Sequence, residues 1–398
     1  MDVNGNKRQV GDANLIQTLL ALCARPEATE TQMQLLSRHL ATFSSWDQLV
    51  NEAEHRGLGP LLYHHLEVID TPVPKSVRRI LKTLFLRHRQ ANTIRMEYLF
   101  KVLDLFKKAD IEAFVLKGAA LCQLIYRDPG LRPMCDLDLL LRKTDLPAAK
   151  TILLENGYSQ SRPLVTLFGE PHHLEPLVAA HDGLTISVEL HHALFPPQFS
   201  RDNLNFVDLA PSAVSFNAGG MNAKTLGVAD MLWHLYRHGF CSPLNQDAFP
   251  LISTADIIGM VEINIDRVDW RTVFSKYPKL KIVLPLFHFL SPWSEKVIDR
   301  LSMEIQEPPR GFGQPLNGWP KQPLVRIKSA PRFTFMRDTL WPPEWWFRLY
   351  YAPEGKFAYW WFRFVRHPQL LLKRAWILWP FFMKRHSPWF IPFPEDRP

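Results

Sequence analysis

A chain of 398 residues, 46% hydrophobic and 22% charged, is long enough for two or three compact units at roughly 150 residues each, and its composition excludes general disorder, collagen and a plain coiled coil. Four cysteines (Cys23, Cys122, Cys135, Cys241), none in a C-x-x-C pair, exclude a disulfide framework and a cysteine zinc site, and read as reduced thiols in a cytoplasmic protein. The net charge of +8 is local: residues 311–398 carry 14 Lys/Arg against 5 Asp/Glu, whereas residues 1–310 carry 33 against 34.

The first twenty residues break every apolar run with acidic or polar groups, so secretion is not expected. From Ala28 to Leu103 apolar residues recur at three- and four-residue steps, as in Met33, Leu36 and Leu40 and again in Ile80 and Leu84, which predicts an N-terminal helical region over 1–97. Ile111 to Leu116 favours a strand that stops at Lys117-Gly118, after which Ala119 to Tyr126 reads as a helix. A loop over Arg127 to Pro133 leads into Met134 to Leu141, a second strand with Asp136 and Asp138 on one face. Thr144 to Glu155 predicts a helix, and Leu184 to Leu190 a further strand that runs into His191-His192. Helices return from Leu226 to Val261 and around Leu280 to Leu290. The expected organisation is a mixed α/β core over 98–215, a helical region over 216–310, and a basic aromatic extension over 311–398 that begins with a Pro/Gly-rich linker at 311–340. The most apolar window, Leu370 to Met383, is broken by Lys373 and Arg374, so no membrane-spanning helix is expected.

Two carboxylates at i and i+2 on a strand project to one side a few ångströms apart, where like charges are best tolerated with a divalent cation between them. Asp136 and Asp138 meet that demand, and Glu189 on a neighbouring strand would complete a cage for one or two Mg²⁺. Gly118, at a turn without a side chain, lets backbone N–H groups approach phosphate oxygens, while Lys117 and Arg132 neutralise phosphate charge. His191 lies two residues beyond Glu189 and on the same side; it either assists proton transfer or phosphate binding, or packs behind the acids. His172, His173 and His192 lack zinc-ligand spacing, His234 and His238 read as core or pocket lining, and Asp256 reads as a helix cap, with a substrate contact as the alternative.

Four segments, Phe114-Val-Leu-Lys-Gly-Ala-Ala-Leu121, Tyr126-Arg-Asp-Pro-Gly-Leu-Arg-Pro-Met-Cys-Asp-Leu-Asp-Leu-Leu140, Gly157-Tyr158 and Val188-Glu-Leu-His191, resemble the uncharacterised bacterial nucleotidyltransferase family of the DNA polymerase β-like superfamily. The resemblance covers residues 98–195 and is compatible with the helical regions on either side. It implies a polymerase β-like core in which Gly118 contacts phosphate, Asp136 and Asp138 hold Mg²⁺, and Glu189 is the third acid. The chain departs from the superfamily in having Gly118-Ala119 where Gly-Ser or Gly-Gly is usual, and Glu189 where Asp is usual. The implied activity is Mg²⁺-dependent transfer of a nucleoside monophosphate from an NTP to an acceptor hydroxyl or phosphate, one ion activating the acceptor and a second holding the triphosphate. Two alternatives remain open: a sugar-nucleotide glycosyltransferase using D-x-D, against which the K-G turn counts, and a non-catalytic membrane-associated adaptor with the same core.

Between Trp341 and Phe390 the tail interleaves Trp, Tyr and Phe with Arg and Lys. Indole rings favour the membrane interface and cations favour anionic headgroups, so residues 341–390 are expected to attach the protein peripherally to the inner face of the cell membrane, or otherwise to wrap the core or a partner. Nucleic acid is not an expected partner, since no nucleic-acid-binding motif accompanies the patch.

Overall fold

The computed structural model describes residues 14–161, 172–196, 204–218, 220–241, 250–312, 332–373 and 375. Four helices open the chain: α1 (residues 14–22), α2 (Glu30–Leu40), α3 (Trp46–His55) and α4 (Gly59–Val68). α3 and α4 pack beside α5 (Lys75–Lys108), whose 34 residues contain neither Gly nor Pro and extend for about 51 Å. Leu81, Leu84, Leu99, Val102 and Phe106 form the buried stripe of α5. Near its middle, the buried Asn92 donates to the backbone oxygens of Pro129 (2.6 Å) and Arg132 (2.8 Å), so this helix pins the loop that leads to the acidic strand.

A seven-stranded mixed sheet follows: β1 (Ala113–Val115), β2 (Asp136–Leu141), β3 (Ser159–Gln160), β4 (Leu177–His181), β5 (Leu184–His191), β6 (Val214–Ala218) and β7 (Met221–Thr225), in the order β3-β4-β5-β2-β1-β7-β6. The central strand β2 is antiparallel to β1 and parallel to β5, and Leu137, Leu139, Leu140 and Leu141 on it are fully buried. β4 and β5 are joined by the two-residue turn Asp182-Gly183, both residues at positive φ (45° and 82°), as a right-handed hairpin twist requires. Helices α6 (Lys117–Leu124), α7 (Leu146–Glu155) and the short α8 (Phe206–Leu209) connect the strands.

The mixed α/β class is as expected, and the three strands read from the sequence all form. The first helix of the core starts at Lys117, two residues before the expected Ala119. The sheet also draws on β6 and β7, which lie on both sides of residue 215. Beyond it come α9 (Val228–Tyr236), a π-turn over Arg237–Cys241, α10 (Leu251–Asn264), α11 (Trp270–Lys276), α12 (Pro278–Phe287) and α13 (Glu295–Arg300).

In the tail, the expected linker at 311–340 is corrected at its far end, where α14 (Arg332–Leu340) forms. It is followed by α15 (Glu344–Tyr351) and α16 (Gly355–Trp361), which continues through a π-turn over Phe362–Arg366. Trp345, Trp346, Phe347 and Leu349 are buried, and the Tyr236 hydroxyl donates to the Leu349 oxygen at 2.7 Å, so this part of the tail packs on the body of the protein. Residues 376–390 of the expected membrane segment lie outside the described residues. Among the described residues, no helix is long and apolar enough to cross a membrane.

Candidate active site

The parallel pairing of β2 with β5 sets Asp136 opposite Ser187, Asp138 opposite Glu189 and Leu140 opposite His191. Directly paired residues share a face, so Asp138 and Glu189 project side by side, and His191, two residues along, joins them. The His191 Nε2 lies 2.8 Å from Asp138 Oδ1 and 3.5 Å from Glu189 Oε2, while Lys117 Nζ sits 3.3 Å from Asp138 Oδ2. Asp138 and His191 are buried, and the Glu189 side chain keeps 22% of its surface.

Charge balance explains how three carboxylates survive together. Burial alone would raise the Asp138 carboxyl, yet the Lys117 ammonium and the His191 hydrogen bond hold it well below the usual carboxylate range. Burial opposes the charge on Lys117, but Asp138, Asp136 and Glu189 together raise its pKa. Glu189 is lowered despite burial by its contact with His191, whose own pKa is raised against burial by Asp138 and Glu189. Asp136 goes the other way, pushed up first by burial and then by the charge of Asp138.

Asp138, Glu189 and His191 each offer a ligand atom, all within 4.8 Å of one another. The carboxylate oxygens of Asp138 and Glu189 suit a hard divalent cation, whereas an imidazole nitrogen suits a softer one; the buried Nδ1 of His191 has no hydrogen-bond partner. The two carboxylates therefore fit Mg²⁺, which would compete with Lys117 and His191 for the Asp138 oxygens. Asp136 stands outside this three-ligand group.

Beneath the acids lies the glycine turn. Lys117 has a left-handed φ of 41°, and a Cβ on Gly118 would stand 2.6 Å from Arg132 Nη1 and 3.2 Å from the Met134 Cβ. Arg132 is held in that position: its Nε and Nη2 donate to Asp256 Oδ1 (3.1 Å) and Oδ2 (2.7 Å), and its Nη1 donates to the Pro133 oxygen (3.0 Å). Tyr126 also donates to Asp256, at 2.7 Å. Asp256 is thus not the helix cap read from the sequence; it sits inside α10, fully buried, as the counter-ion of Arg132. Two of the five guanidinium N–H groups remain for a ligand. Gly118→Ala is expected to cost about 1–3 kcal/mol, because the guanidinium it meets cannot swing away without leaving Asp256. Denaturant unfolding checks this, and a midpoint equal to that of the wild type would refute it.

Sequence reasoning missed Arg95 and the approach of His172 and His173 to His191, whereas His234 and His238 lie where core or pocket lining was expected. Arg95, a buried residue of α5, interacts electrostatically with Cys135 and Asp136, and its Nε has no hydrogen-bond partner. The rings of His172 and His173 lie 5.3 and 4.9 Å from that of His191. Burial and then His191 push His172 down to about 2. His238 is pushed down to about 3, first by the Lys117 charge and then by burial, and burial with Lys117 lowers His234. These imidazoles are thus held toward the neutral form, whereas His191, in contact with Asp138 and Glu189, is held toward the charged one. The only sequence signals were the doublet His172-His173 and the four-residue spacing of His234 and His238.

Residues 43–292 match the profile of a family described as uncharacterised nucleotidyltransferase. No curated protein matches the chain. Among solved structures it is similar to an antigenic nucleotidyltransferase-like protein from Paracoccidioides brasiliensis, at 16% identity and a TM-score of 0.32 over 52% of this chain and 96% of that one. It is also similar to the antibiotic-resistance factor ANT(2'')-Ia, at 11% identity and a TM-score of 0.30 over 48% of this chain and 96% of that one.

Proposed function

The chain belongs to the uncharacterised nucleotidyltransferase family, and on that premise we propose that it transfers a nucleoside monophosphate from an NTP to an acceptor hydroxyl or phosphate in a Mg²⁺-dependent reaction that releases pyrophosphate. The observation that carries this reading is the in-register pair Asp138 and Glu189, gathered with His191 beside the Gly118 turn. Asp138 and Glu189 would hold the ion, with Asp136 alongside and His191 next to the carboxylates. A bound divalent cation neutralises triphosphate charge and lowers the pKa of the attacking group.

The chain's own residues supply the rest. Lys117 places an ammonium at the acids, and its attraction to Asp138 passes to phosphate oxygens when a triphosphate enters. Gly118 lets the Arg132 guanidinium pack directly on the turn, and Arg132, fixed by Asp256, keeps two N–H groups for the same phosphates. Glu189 keeps some exposure where Asp138 is sealed, so it is the acid of the pair that an acceptor can reach. A cytoplasmic setting belongs to this reading and rests on the free thiols Cys23, Cys122, Cys135 and Cys241.

The test is calorimetric titration of the four NTPs, with Mg²⁺, into the wild type and into Asp136→Asn/Asp138→Asn, with circular dichroism to show that both are folded. Metal-dependent binding by the wild type that disappears in the double variant is expected. No binding by a folded wild type would overturn it in favour of a non-catalytic adaptor, a reading favoured by one observation: Lys117 and His191 already engage both oxygens of Asp138.

A further inference from the structure

A surface helix normally buries one stripe and solvates the other with polar side chains. The helix begun by α16 does the first. Arg363 and His367 are buried along its inner side, Arg363 Nη2 donating to the Pro342 oxygen (2.7 Å) and His367 Nε2 lying 2.7 Å from the Thr339 oxygen. Its outer side is not polar. Phe357 (83% exposed), Trp360, Trp361, Phe364 and Leu372 stand out at helical spacing. Phe333 (78% exposed), Met336 and Leu340 do the same on α14. Trp341 joins the two stripes, its ring 5.7 Å from that of Phe364, which in turn stacks on Trp360 at 5.5 Å. Among the described residues, every exposed Trp and Phe lies in this one stretch of chain, from Phe333 to Phe364.

We propose that this surface docks on an anionic lipid bilayer, with the Trp and Phe rings at headgroup depth and the exposed Lys356 and Arg366 on lipid phosphates. Three observations favour lipid over other occupants. Exposed indole and phenyl rings set among cations match the composition of a membrane interface. No described helix is both long and apolar enough to cross a bilayer, so attachment lies in the interfacial plane. Over residues 332–373 the chain carries 7 Lys/Arg against 3 Asp/Glu, an excess that complements an anionic surface, whereas two copies meeting face to face would oppose like charges.

Co-sedimentation of the full chain with phosphatidylcholine vesicles, with and without phosphatidylglycerol, tests this. The wild type is expected to bind the anionic vesicles and to leave the zwitterionic ones largely unbound. Trp360→Ser/Phe364→Ser, and separately Lys356→Glu/Arg366→Glu, should each weaken binding at least about tenfold while the melting temperature is kept. The charge-reversal variant alters only exposed side chains, so it answers the question even if the aromatic variant misfolds. Equal binding to both vesicle types, or undiminished binding by the charge-reversal variant, would overturn the proposal. So would a folded wild type that ignores vesicles: a dimer by light scattering would assign the surface to a second copy, and a monomer to cover by residues 376–398.

Discussion

Asp138→Asn is expected to weaken divalent-cation binding at least about a hundredfold, and Asp136→Asn to weaken it less. Loss of an outer-shell partner of a metal ligand already costs about 10- to 100-fold in affinity, so removing a charged ligand from a buried site should exceed that range. Asp138 is the group on which the site converges: it pairs in register with Glu189, contacts His191 and Lys117, and belongs to the three-ligand group from which Asp136 is absent. Asparagine keeps the shape of the side chain and an oxygen for Lys117 or His191, which protects the fold while removing the charge. Titration of Mn²⁺ into each variant, in the absence of nucleotide, separates the two residues. Equal losses would mean that the D-x-D pair acts as a unit and that the structural trio is not the ligand set; undiminished affinity in Asp138→Asn would remove the cation from this site altogether.

The parts legible in the sequence were those with short-range causes. Acid–apolar alternation in Asp136 to Leu141 gave the strand and the common face of its two acids, and the β-favouring run at Leu184 to His191 gave Glu189 a strand of its own. The fact that these strands pair directly, in the register that opposes Asp138 to Glu189, follows from the sheet order and is not written in either segment. β3, β4, β6 and β7 were missed because short strands of mixed polarity, such as Met221 to Thr225, carry little periodicity and form by pairing with neighbours already in place. The role of Asp256 was invisible for a related reason. Its partner Arg132 is 124 residues away in the chain, and only the packing of α10 beneath the glycine turn brings them to 2.7 Å. Arg95 was one basic residue among many on a long charged helix until the fold placed it near Asp136.

The buried pair Arg132 and Asp256 leads to the second large effect. Asp256→Ala is expected to destabilise the protein by about 3–5 kcal/mol, since it strands a guanidinium and a phenol that each had a hydrogen-bonded partner in the interior. Removing both charges is a different matter, because apolar replacement of a buried ion pair is often close to neutral. Arg132→Met/Asp256→Leu should therefore recover much of the stability lost by the single variant, as measured by urea unfolding. It should not recover NTP affinity, because the two N–H groups that Arg132 presents beside Gly118 are gone. The comparison separates two tasks for one side chain. If the double variant is stable and still binds NTP as the wild type does, Arg132 is a structural cation filling the space that Gly118 leaves open, and the phosphates rest on Lys117 and the turn alone.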